Sequence, residues 1–174
     1  FPGCQVLASK NGRVFYHKAF GYRDSEKNSK VKTTDLYDLA SITKIAATTA
    51  AIMRLCDEGK MDIDMPLSYY LPYLRGSNKE DLIIRDILAH QAGLQAWIPY
   101  YLNTIQENND YINGIYKPEI EESFSVRVAN NLYINNKYRH LILDTIIKSP
   151  LREGESYKYS DLGFYLLKEA IEGI

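Results

Sequence analysis

Residues 36–59 read LYDLASITKIAATTAAIMRLCDEG. Ile42, Ile45, Ala46, Thr49, Ile52, Met53 and Cys56 recur at helical spacing, which predicts a long helix with an apolar face. Ser41 stands at its start, and Gly59 falls where a C′ glycine stops a helix. The first turn carries Ser41-Ile42-Thr43-Lys44. A serine hydroxyl is a poor nucleophile until a neighbour removes its proton. A lysine three residues on lies one turn away on the same face, so its amine can reach that hydroxyl. The unpaired N–H groups of a helix N-terminus can also stabilise an oxyanion. Serine is equally among the best N-caps, and spacing alone favours that plainer role. Ser29-Lys30-Val31-Lys32 matches the same pattern in a charged segment with no apolar helix behind it. Context has to decide between them.

Upstream, Cys4–Ser9 and Arg13–Phe20 are strand-like and flank Asn11-Gly12, the strongest short hairpin signal in the sequence. Residues 24–34 are polar and lysine-rich, which predicts a solvated loop. Downstream, Pro66 and Pro72 bracket a short helical segment, and Ile84-Ile87-Leu88 begin a helix that Gly93 is expected to close. The pattern from Gln95 to about Asn136 is weak and predicts irregular chain with short helices. Tyr138–Lys148 regains helical spacing and ends before Ser149-Pro150, because proline disfavours helix at the residue before it. Leu162–Glu172 predicts a last helix ending at Gly173. One antiparallel hairpin followed mainly by helix is an α+β chain rather than a βαβ array. The expected organisation is one partial domain over 1–174, with the hairpin in 1–23 and a mainly helical part in 36–174.

The 174 residues are 45% hydrophobic and 25% charged, which is globular composition rather than disorder. The balance of 21 basic against 22 acidic side chains argues against a nucleic-acid partner, which would require a concentrated basic face. No apolar run approaches the ~18–20 residues of a membrane span. The first residue is Phe1, so the start is expected to be a processing boundary. Cys4 and Cys56 have no metal-ligand spacing around them and are expected to be buried free thiols, with no metal and no cofactor.

In its surroundings, the Leu36–Gly59 stretch resembles the nucleophile region of serine β-lactamase-related proteins, a family that includes class C β-lactamases, penicillin-binding proteins, D-aminopeptidases and esterases. Further blocks resemble the family in its order: Gly59-Lys60-Met61-Asp62 with Pro66-Leu67, then Ile84–Leu94 (IIRDILAHQAGL from Ile83), then Glu153-Gly154-Glu155, Tyr157, Tyr159-Ser160-Asp161 and Leu162-Gly163-Phe164. The resemblance implies a transpeptidase-like fold and an acyl-serine mechanism. Ser41 would be the nucleophile, Lys44 and Tyr159 would shuttle its proton, and Asp161 would face the substrate. Asp161 stands where the family usually has Asn. An ionised carboxylate only accepts hydrogen bonds and favours a charged Lys44. The stricter Tyr-x-Asn matches Tyr111-Ile112-Asn113 and Tyr133-Ile134-Asn135 lack the turn and apolar helix that should follow and read as surface tyrosines. His90 reads as a scaffold histidine in a structural turn, and Trp97 as an aromatic packed under a loop.

The family's third motif, Lys/His-Thr/Ser-Gly on a sheet strand, has no match after Tyr159; Lys10-Asn11-Gly12 fits only superficially, in the hairpin turn. The resemblance therefore implies the N-terminal and helical portion of a catalytic domain, with the edge of Cys4–Ser9 open for self-association. The wording is closest to β-lactamase-like domains fused to glycoside hydrolase family 3 domains in bacterial envelope proteins. That implies a periplasmic or envelope location and a small-molecule or peptidoglycan-derived substrate. A non-catalytic, penicillin-binding-protein-like scaffold is the alternative, favoured by Asp161 and the missing motif.

Overall fold

The computed structural model describes residues 1–154 and 157–174, so the Glu153-Gly154-Glu155 block ends outside the described residues. The chain divides into two compact units, 1–40 and 41–174. In the first, β1 (Gly3–Lys10) pairs antiparallel with β2 (Arg13–Gly21), from Gly3 opposite Gly21 to Lys10 opposite Arg13, with a register shift at Ala8/Ser9. Asn11 and Gly12 join them at φ +50° and +76°. Two successive left-handed residues make the turn whose twist matches that of the strands. Among the described residues β1 pairs with β2 alone. The polar loop that follows is tied down rather than merely solvated. Arg23 donates to both carboxylate oxygens of Asp35, and Tyr22 bridges Lys30.

The second unit begins with Ser41 in a turn. A wide π-helical turn, Lys44–Thr49, then runs into α1 (Ala50–Asp57). Thr49 Oγ1 donates to the Lys44 carbonyl across this turn at 2.9 Å, whereas the spacing had predicted α-helix from Ser41 onward. Gly59 at φ +68° ends α1: its N–H donates to Cys56 O and that of Lys60 to Leu55 O. This reciprocal pair is the Schellman arrangement, and it suits glycine because the C′ residue is left-handed. Single 3₁₀ turns follow at Leu67–Tyr69 and Pro72–Leu74.

Next come α2 (Ile84–Leu88), the 3₁₀ turn Tyr100–Thr104, strands β3 (Tyr116–Lys117), β4 (Val126–Ala129) and β5 (Leu132–Ile134), α3 (Lys137–Lys148) and α4 (Leu162–Gly173). The three strands form an antiparallel sheet in the order β3-β5-β4. The expectation of irregular chain there is corrected. These strands are only two to four residues long and β4 is exposed, so no alternation marked them.

The core is where the helices meet. Leu162, Leu166, Leu167 and Ala170 form the buried stripe of α4, packed with Ile52, Leu67, Leu74, Ile84, Ile87 and Ile146. α4 contacts α2, α3 and the Lys44–Thr49 turn. Of the apolar stripe expected on α1 only Ile52 is buried; Ile42, Ile45 and Met53 are exposed. Both cysteines are free but half-buried rather than buried. Among the described residues no helix is long and apolar enough to cross a membrane.

Candidate active site

Ser41 and Lys44 occupy one helical turn, held by the Lys44 N–H donating to Ser41 O at 3.0 Å. The serine hydroxyl accepts from Lys44 Nζ at 3.1 Å. The same ammonium donates to Asp161 Oδ1 at 2.5 Å, across 117 residues of sequence. It lies 4.9 Å from the centroid of the Tyr159 ring and 5.6 Å from that of Phe164. The Lys44 side chain is half-buried, whereas Ser41 and Tyr159 are exposed.

Tyr159 and Asp161 are delivered by a short strap ahead of α4, and the chain from His90 to Ala96 is its template. Lys158 N–H donates to His90 O at 2.9 Å, Ser160 N–H to His90 Nδ1 at 3.1 Å and Asp161 N–H to Ala96 O at 2.8 Å. The buried Ser160 hydroxyl donates to Gln95 O at 2.6 Å and accepts from the Leu162 N–H at the start of α4. The Lys158, Ser160, Asp161 and Leu162 N–H groups thereby all have partners. Sequence reasoning missed Ser160 and Gln95 here. A serine beside the first residue of a helix was the available signal.

His90, not Gly93, closes α2. Its N–H donates to Ile87 O and that of Gln91 to Asp86 O, with His90 itself at φ +58°. This is again the Schellman arrangement, now with a histidine in the left-handed position that usually goes to glycine. Gly93 is also left-handed, at φ +69°, and its carbonyl accepts from Arg152 N–H.

Charge follows from this geometry. Burial alone would pull the Lys44 ammonium down, but its hydrogen bonds to Asp161 and Tyr159, with the Asp161 charge, outweigh it and hold the group above its ordinary value. Lys44 is therefore a fixed cation near neutral pH and no proton acceptor. Hydrogen bonding to Ser41, and next to Lys44, holds the Tyr159 phenol below its ordinary range. The phenolate of that group, stabilised by the neighbouring ammonium, can take a proton from Ser41 and become the phenol.

The four site residues expected from sequence thus come together. Ser29 lies in the first unit, where its carbonyl accepts from Arg23 N–H. Tyr111 forms an isolated bridge with Ile105, and Tyr133 pairs with Lys117 and Arg127. Tyr133 is half-buried, correcting its reading as a surface tyrosine. Trp97 is exposed and not packed beneath a loop. Among the described residues no three His, Cys, Asp or Glu side chains converge as a metal site.

The family model described as Beta-lactamase matches residues 1–174. Among curated proteins, Protein flp of Staphylococcus aureus (strain COL) is 28% identical over 176 residues, which cover 99% of this chain and 30% of that protein. N-acetylmuramyl-L-alanine amidase of Bacillus subtilis (strain 168) is 29% identical over 187 residues, covering 99% and 37%. Among solved structures, the octameric penicillin-binding protein homologue from Pyrococcus abyssi superposes with a TM-score of 0.65 at 24% identity, covering 99% of this chain and 35% of that one. The chain spans about a third of the length of the curated relatives it matches.

Proposed function

The chain belongs to the beta-lactamase family, and from that premise we propose that it carries the acylation machinery of a serine hydrolase acting on an amide or ester. Ser41 Oγ attacks the substrate carbonyl as its proton passes to the Tyr159 oxygen. Lys44 remains an ammonium, stabilising first the phenolate and then the collapsing intermediate. The Ser41 backbone N–H faces the oxyanion, the tetrahedral intermediate expels the leaving group with the proton held by Tyr159, and water later hydrolyses the acyl-serine. Asp161 accepts from Lys44 and presents its remaining oxygen to the substrate. The observation that carries this reading is the 3.1 Å contact between Lys44 Nζ and Ser41 Oγ beside a phenol held below its ordinary range.

The substrate class that fits is a peptidoglycan-derived or β-lactam-like amide, in keeping with a relative named for an N-acetylmuramyl-L-alanine amide. A location in the bacterial envelope or periplasm follows from the same reading. So do a single partial catalytic domain over 1–174, a fused glycoside hydrolase domain, and pairing of the β1 edge with a second copy.

The Lys44–Asp161 ion pair favours one second reading, a binding module whose lysine is locked and whose serine does not react. A fluorophosphonate or β-lactam probe separates the two. Mass spectrometry of the whole protein is expected to find the adduct on Ser41, lost in Ser41→Ala and retained in Ser29→Ala. An adduct on Ser29, or its persistence in Ser41→Ala, refutes the mechanism; no adduct in the unmutated protein favours the module.

A further inference from the structure

His90 does more than end a helix. Its imidazole meets the Tyr159 ring at 4.3 Å between centroids and 36° between planes, and the Phe164 ring at 5.4 Å and 35°. Its Nδ1 accepts the backbone N–H of Ser160, the residue between Tyr159 and Asp161. An amide N–H bonds only to a nitrogen lone pair, so the ring is the neutral tautomer with its proton on Nε2. A histidine held at φ +58° is strained relative to a glycine there. Glycine would close α2 without that strain, but it would offer the Ser160 N–H no side-chain acceptor.

We propose that His90, through the lone pair of Nδ1, is the positioning residue that fixes the Tyr159 strap above the Lys44 ammonium, and that protonating this nitrogen releases the strap. Its importance for turnover rests on the active-site reading above; the structural claim does not. A proton on Nδ1 would set two donors against each other, N–H facing N–H, and the strap would lose its central hydrogen bond. The Lys158 N–H to His90 O bond is indifferent to ring charge and remains.

The charged groups facing the ring are Lys44 from the turn before α1 and Asp161 from the strap, and the titratable rings are Tyr157 and Tyr159, Tyr157 edge-on at 6.0 Å. Asp86 and Arg85 lie on its own helix. Burial, and next the charge of Lys44, hold the imidazole below its ordinary range, while Asp161 opposes them. The strap is therefore fixed at neutral pH and let go only in acid.

Two substitutions and one spectrum test this in the whole protein. His90→Gly fits the backbone but has no acceptor, whereas His90→Asn tolerates a left-handed conformation and keeps one. Fluorophosphonate labelling of Ser41 is expected to slow about tenfold in His90→Gly, with His90→Asn restoring most of that loss. In ¹⁵N spectra of the unmutated protein, His90 Nδ1 should appear unprotonated near neutral pH. The Ser160 amide should move with the His90 midpoint, and that movement should vanish in His90→Asn. A His90→Gly protein that labels at the unmutated rate overturns the proposal, as does equal slowing in both variants or a Ser160 amide indifferent to the titration. If Ser41 is never labelled the active-site reading fails, and the Ser160 titration still decides the role of His90.

Discussion

Gly163 is the tightest point between the helix that follows the strap and the helix that ends at His90. A Cβ built on it lies 2.3 Å from Ile87 Cγ2 and 3.0 Å from Leu94 Cδ1. Apolar carbons rest at about 3.5–4.0 Å, so Gly163→Ala requires a displacement of roughly 1 Å or more. Neither neighbour can supply it easily. Ile87 is 2% exposed, Leu94 is 4% exposed, and the clashing atom is a methyl on the branched Cβ of Ile87, not the far end of a flexible chain. Overpacking of this kind costs about 1–3 kcal/mol, and so short a contact belongs at the upper end. Alanine recovers up to about 1 kcal/mol of helix propensity, and less in a first turn. The net expectation is a destabilisation of about 2 kcal/mol. In a domain of this size that lowers the melting temperature by roughly 4–8 °C.

A double-mutant cycle identifies the cause. Ile87→Ala alone opens a cavity and costs about 2–5 kcal/mol. Because it also removes the clashing methyl, Gly163→Ala added to it is expected to be nearly neutral, a coupling of about 2 kcal/mol. Thermal and urea unfolding of the four proteins measure this. A Gly163→Ala protein that melts at or above the unmutated temperature, or additive effects in the double mutant, would show that α2 and α4 do not meet at this glycine.

Two other expectations concern buried charge. In Asp161→Asn the pull of burial on Lys44 loses its main opponent, so the raised pKa should fall. The ammonium is now lost at lower pH, and the alkaline limb of Ser41 labelling moves down with it; a ¹⁵N-lysine titration unchanged by the substitution refutes the ion pair as its cause. Lys79 is 0% exposed, donating to Ser149 O at 2.6 Å and Asn78 Oδ1 at 2.8 Å with burial pushing its pKa down. Between its folded and unfolded pKa values the unfolded chain binds more protons, so stability rises with pH there. Lys79→Met should abolish that rise in urea unfolding measured from neutral to alkaline pH, and an equal rise in both proteins sinks the idea.

Much of the architecture follows from interactions within a few residues and is legible in their order. Asn11-Gly12 specifies its hairpin because both residues accept positive φ, and Gly59 ends α1 for the same reason. The three-residue spacing of Ser41 and Lys44 places amine beside hydroxyl whatever lies elsewhere. The stripe of α4 and the proline after α3 mark both helices to within a residue or two. The family pattern also singled out Tyr159 over Tyr111 and Tyr133. Pairings between distant residues emerge only in the folded chain. The charge of Lys44 depends on Asp161, and the setting of Tyr159 depends on His90 and Gln95 through backbone groups that carry no side-chain signature. Gly93 carried the expected stop signal for α2, yet His90 takes the left-handed position, where its lone pair meets the Ser160 amide. The exposure of Ile42, Ile45 and Met53 was equally invisible, because helical periodicity identifies an apolar face but not whether anything covers it.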